Sequence, residues 1–123
     1  MSENAPATYI KRLPLDVPVK LCVEKVIKKD DKDSCFVVEC RVCDGDEVGK
    51  LMAIYFYRNK KDGSGARKDT TSLIETLCPG RPAHETPSYS LQGKIFQTTP
   101  WQPQGSSYPM YSRFKFLGVN DIF

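Results

Sequence analysis

In 123 residues the chain has one histidine, His84, and one tryptophan, Trp101. The histidine lies in a proline-containing connector, with no nucleophile or carboxylate at a meaningful spacing, which excludes the usual triad and acid–base arrangements. The carboxylates near Asp30 and Asp44 read as turn residues, not as an acid–base pair or a metal cage. No catalytic or cofactor motif is present, so the expectation is a non-enzyme without a cofactor. There is no apolar run long enough to span a bilayer, and no membrane partner is expected. The short polar stretch Met1–Ala7 does not read as a secretory leader. With five cysteines, an odd number, the expectation is a cytoplasmic, intracellular protein whose thiols stay reduced.

Those cysteines need a closer look. Cys35, Cys40 and Cys43 read C-x4-C-x2-C, with Cys78 further on, a spacing shared with plant-type iron–sulfur loops. The residues between, Phe36-Val37-Val38-Glu39, read as strand, and alternation puts Cys35 and Cys40 on opposite faces. A zinc set of Cys40, Cys43, Cys78 and His84 lacks a second close pair. The expectation is no metal, with Cys40 a small buried apolar residue.

A hydrophobic content of 40% and an aromatic content of 11% are enough for one core. Eight Gly and nine Pro suit a turn-rich β protein. The expected organisation is a flexible N-terminal tail over residues 1–14, with an amphipathic patch at Tyr9–Leu13, and a single domain over 15–123.

Period-2 alternation predicts strands at Val17–Ile27, Cys35–Val42, Val48–Arg58, Leu91–Thr99 and Tyr111–Val119. Asp44-Gly45 signals a short turn. The one helix expected is Asp69–Leu77, capped by Asp69 or Thr70, striped by Leu73, Ile74 and Leu77, and stopped by Pro79-Gly80. Met52, Ile54, Phe56, Phe114 and Phe116 are expected to point inward. Leu51, Ala53, Tyr55, Tyr57, Tyr111, Arg113 and Lys115 are expected to point outward. The order β-β-β-α-β predicts an all-β fold with one helix: a five-stranded antiparallel Greek-key barrel of the oligonucleotide-binding type.

Charge is unevenly spread. Net charge is +3 overall, yet Met1–Tyr57 carries −1 and Arg58–Phe123 carries +4. A polyanion would approach the second half. Arg58, Lys60, Lys61, Arg113 and Lys115 lie close in sequence to Tyr55, Tyr57, Trp101, Tyr108 and Tyr111. Rings for base stacking beside cations for phosphates suit single-stranded nucleic acid. These ten residues form the expected binding set. Two alternatives stay open: Trp101 and Tyr108 could pin a long loop to the barrel end, and the cations of Asn59–Lys68, read as a flexible Gly/Ser connector, could serve solubility.

Val48-Gly49-Lys50 and Tyr55-Phe56-Tyr57, followed by a helix and by Leu91-Gln92-Gly93-Lys94-Ile95-Phe96, resemble the oligonucleotide-binding barrel of single-stranded-DNA-binding proteins. The same segments are similar to small phage-encoded proteins of recombination and replication cassettes. The resemblance spans residues 17–118 and implies single-stranded DNA binding without chemistry, in the host cytoplasm for a phage-encoded chain. The chain closes on Val119-Asn120-Asp121-Ile122-Phe123 instead of an acidic tail, so a protein-recruiting role like that of the bacterial proteins is not implied. The rival expectation is a phage-type interaction module or inhibitor that binds a host or replication protein. Exposed edge strands could also pair between copies as a homodimer.

Overall fold

The computed structural model describes residues 8–120. Met1–Ala7, the first part of the expected tail, lie outside the described residues. Five strands form one antiparallel sheet: β1 (Val19–Lys28), β2 (Cys35–Val42), β3 (Leu51–Tyr57), β4 (Lys94–Trp101) and β5 (Met110–Val119). Their spatial order is β3-β2-β1-β4-β5, with a helix, α1 (Lys68–Leu77), between β3 and β4. Among the described residues no ladder joins β3 to β5.

Alternation places the core residues of β2 and β3, although Leu51, expected outward, is buried where the Tyr9 segment pairs with it, and Val37 on the same face is buried too. Phe36, Val38, Cys40 and Val42 face Met52, Ile54 and Phe56, all nearly or fully buried. The Phe36 and Phe56 rings stack with centroids 5.8 Å apart, a separation at which aromatic pairs attract beyond their burial. Leu73, Ile74 and Leu77 carry the apolar stripe of α1 into the same core. The helix starts at Lys68 without a side-chain cap. Asp69 is occupied instead, accepting from the Arg67 guanidinium (3.1 and 2.8 Å) and the Thr70 N–H (2.9 Å). The Thr70 hydroxyl donates to the Tyr57 carbonyl (2.6 Å), which fastens the helix start to the end of β3.

β1 begins later than the alternation suggests, because the chain turns at Asp16 (φ 62°), and Val17 is left exposed. The Asp16 N–H donates to the Pro100 carbonyl at 2.6 Å. β3 begins at Leu51, and the β2–β3 connection is longer than a two-residue turn. The connector after α1 contains two 3-10 turns, Ala83–Glu85 and Ser88–Leu91. Leu91 is therefore not in β4, though it is fully buried in the core.

β5 departs most from expectation. Its pairing with β4 slips between Gln97 and Thr99, and again between Ile95 and Phe96. Arg113 takes φ 55°. An extra residue in one strand inverts the faces beyond it. Tyr111, expected outside, is therefore buried, while Phe114 keeps its expected place against the core. Phe116, expected inside, is 37% exposed, with Lys94 Nζ 5.3 Å from the centre of its ring. The Tyr111 hydroxyl reaches Met52 Sδ at 3.9 Å, so the start of β5 meets the inner face of β3. Burial pushes its phenol up to about 12.

The described part of the expected tail is held by the fold. Leu51 donates its N–H to the Thr8 carbonyl and accepts from the Ile10 N–H, both at 2.9 Å, so Tyr9 pairs in parallel with Leu51 on the open edge of β3. Leu13 is buried in the core, and Arg12 Nη2 donates to the Ser107 carbonyl at 3.2 Å. Leu13→Ala is expected to cost about 2–3 kcal/mol, checked by urea denaturation. A midpoint matching wild type would show that this strap does not contribute to stability.

Candidate nucleic-acid interface

The outer face of β2–β3 carries the candidate site. Residues that alternate with the core project outward here: Tyr55 and Tyr57 are 56% and 47% exposed. Their cross-strand neighbours are Val37 and Cys35. Lys29 Nζ stands 6.0 Å from the centre of the Tyr55 ring, and Arg67 Cζ stands 5.9 Å from that of Tyr57. Both lie at the outer limit of cation–π attraction. Each ring therefore has a cation beside it and about half of its residue open to solvent.

Residues 59–66 form a tight hairpin where a flexible connector was expected. Asn59 bridges Ala66, the Lys60 N–H donates to the Gly65 carbonyl (2.8 Å), and the Gly63 N–H returns to the Lys60 carbonyl (3.0 Å). Gly63 sits at φ 77°, in the region glycine enters without strain. The hairpin holds Lys60 and Lys61 over a cleft of about 400 Å³, lined also by Arg67, Lys68, Asp69 and Met110. Met110 pairs with Trp101 at the end of β4. Tyr57, Arg67, the cleft, Met110 and Trp101 are thus linked neighbour to neighbour. Trp101 itself is 37% exposed.

Tyr108 is exposed in the β4–β5 loop. That loop is braced by Gln102 donating to the Ser106 carbonyl (2.7 Å) and by the Ser106 hydroxyl donating to the Tyr108 carbonyl (3.0 Å). Arg113 and Lys115 are exposed on β5, which stands at the opposite end of the strand order from β3.

Two further members of the expected set are withdrawn from solvent. Tyr111 is buried and offers no ring to a base. Arg58 is engaged internally: Nε donates to the Asp33 carbonyl (2.6 Å), Nη1 to Ala83 O (2.8 Å), and Nη2 to both Thr86 O (2.8 Å) and Asp33 Oδ2 (3.0 Å). Its side chain is only 16% exposed. Asp33 also accepts from the Ser88 hydroxyl (2.6 Å) and N–H (2.8 Å). A guanidinium so committed is a staple between the β1–β2 turn, the end of β3 and the connector.

Tyr9, Lys29 and Arg67 join the face without having been expected there. Parallel pairing with Leu51 puts Tyr9 on the same outer face, and its ring is 58% exposed. Partial cover by the sheet, together with the negative charge of Glu39, raises its phenol above the ordinary value. The alternating apolar and polar residues of Tyr9–Leu13 were the only available signal. The cysteines are dispersed: Cys40 is in the core, Cys43 is exposed and Cys35 is beside Tyr57. Among the described residues no group of three or more His, Cys, Asp or Glu side chains converges to hold a metal ion. No helix among the described residues is long and apolar enough to cross a membrane. No family model matches the chain, and neither a curated protein nor a solved structure matches it significantly.

Proposed function

We propose that this protein binds single-stranded nucleic acid, most favourably DNA, without catalysing a reaction. The observation that carries the reading is the outward pair Tyr55 and Tyr57, flanked by Lys29 and Arg67 and continuous through the Lys60–Lys61 cleft with Trp101. Bases stack on the rings while the cations neutralise phosphates. The strand order β3-β2-β1-β4-β5, with the helix after β3, supports an oligonucleotide-binding barrel opened between β3 and β5. The contact of Tyr111 with Met52 supports the curl such a barrel needs. In that fold the β2–β3 face and the β1–β2 and β4–β5 loops take the ligand, and here those elements carry Tyr55, Lys29 and Tyr108.

Titration with oligo-dT at low salt is expected to quench Trp101 emission. Affinity should fall as salt rises, with a log–log slope of about −0.7 per phosphate neutralised. Unchanged emission together with no shift in anisotropy of a labelled oligomer would end the reading. A second reading, a protein-interaction module, is favoured by one observation: Phe116, Leu117 and Val119 are 37%, 40% and 54% exposed along β5. A stoichiometric partner that survives nuclease treatment and is lost with Leu117→Glu would favour it.

A further inference from the structure

Cations are unevenly matched by carboxylates in this fold. Arg41 is paired with Glu24, Lys50 with Glu47, Arg58 with Asp33 and Arg67 with Asp69. Lys60, Lys61 and Lys68 are exposed and take part in no ion pair among the described residues. All three line one cleft of about 400 Å³, where the 59–66 hairpin meets the first residues of α1 and Met110 of β5.

Asp69 is the one carboxylate lining that cleft among the described residues, and it already accepts from the Arg67 guanidinium and the Thr70 N–H. Asp62, in the hairpin, accepts from the Ser64 N–H (2.9 Å) and does not line the cleft. With Arg67 and Asp69 cancelling, Lys60, Lys61 and Lys68 leave three uncompensated positive charges around one small volume. Like charges held together repel one another and draw in an anion.

The rest of the face is far less cationic. Tyr55 has Lys29 beside it, and the Arg67 beside Tyr57 is neutralised by Asp69. A strand crossing the rings brings a single negative charge with each internal diester, which one cation neutralises. Three ammonium groups in a single cleft exceed that need. A strand carries extra charge where it ends in a phosphomonoester, about −1.5 to −2 near neutral pH.

Resting on the binding reading above, we infer that the cleft lined by Lys60, Lys61 and Lys68 seats the phosphorylated end of a single strand. The bases that follow stack on Tyr57 and Tyr55.

The test is anisotropy of oligo-dT, labelled internally so that both ends are free, with hydroxyls at both ends, a 5′ phosphate or a 3′ phosphate. At low salt one phosphorylated form should bind about tenfold more tightly than the hydroxyl form, the gain expected when one more negative charge meets three ammonium groups about 8 Å away in water. The end that gains gives the direction of the strand across the rings. The gain should shrink as salt rises. Lys60→Gln, Lys61→Gln and Lys68→Gln together should bring the ratio close to one, and all three side chains are exposed, so the fold is not put at risk. Lys29→Gln should weaken every form alike and leave the ratio in place. Equal affinity for the three forms overturns the inference, as does a gain that survives the triple variant or disappears with Lys29→Gln. Absence of binding to every oligomer overturns the reading on which it rests, and the inference with it.

Discussion

Replacing Tyr55 and Tyr57 together by alanine should weaken oligo-dT binding by roughly 100-fold or more, since each stacked base contributes about 1–3 kcal/mol. The melting temperature should barely move, because half of each ring already faces water and neither belongs to the core cluster. The two outcomes together are diagnostic. Lost affinity with an unchanged melt identifies the rings as a platform. Affinity within a few-fold of wild type removes them from the interface, and with them the main support for the proposed function. A drop in both would show that Val37, buried beside Tyr55, depends on the ring for its cover. Single variants should show about half the free-energy effect each, provided the two rings stack separate bases.

Arg58→Ala should be the most destabilising single change on the surface of this domain, by about 3–5 kcal/mol. It removes four hydrogen bonds and leaves the Asp33 carboxylate, 15% exposed, without its cation. For a chain of this size such a loss lowers the melting temperature by more than about 10 °C. Lysine is a poor substitute, because one ammonium cannot reproduce the planar fork that serves Asp33, Ala83 and Thr86 together. Arg58→Lys should therefore recover only a minor part of the stability. Binding measured well below the melt should be unaffected by either variant. If Arg58→Ala instead melts like wild type and loses oligo-dT affinity with a shallower salt slope, the guanidinium is a phosphate contact after all.

These two residue sets show where sequence reasoning succeeds. β2 and β3 pair one to one, Phe36 with Phe56 and Val38 with Ile54, so simple alternation assigns every inward residue correctly. Tyr55 and Tyr57 then follow as outward by parity. The same rule fails in β5 because parity assumes an unbroken register. One extra residue near Arg113 reverses it before that point, so Tyr111 turns inward while Phe114 keeps its expected place against the core. Nothing local in Tyr-Ser-Arg-Phe announces a residue at positive φ.

Arg58 illustrates a different limit. In sequence it heads a run of cations, and its chemistry matches a phosphate contact. Its actual partners lie 25 to 28 residues away, in segments with no strand or helix pattern strong enough to place them. The strap around Tyr9 has the same character. Its pairing with Leu51 is long-range, so a short segment ending at Pro14 reads as loose. Helix α1 was legible from its stripe, but its cap was not, since Arg67 competes for Asp69.

A single proteolytic cut just after Leu13 would remove two things at once: the segment bridged through Tyr9 to the border of β3 and the leucine plugging the interior. Trimmed material would unfold more readily. Heterogeneous N-termini in a preparation would then appear as a blend of two melting transitions.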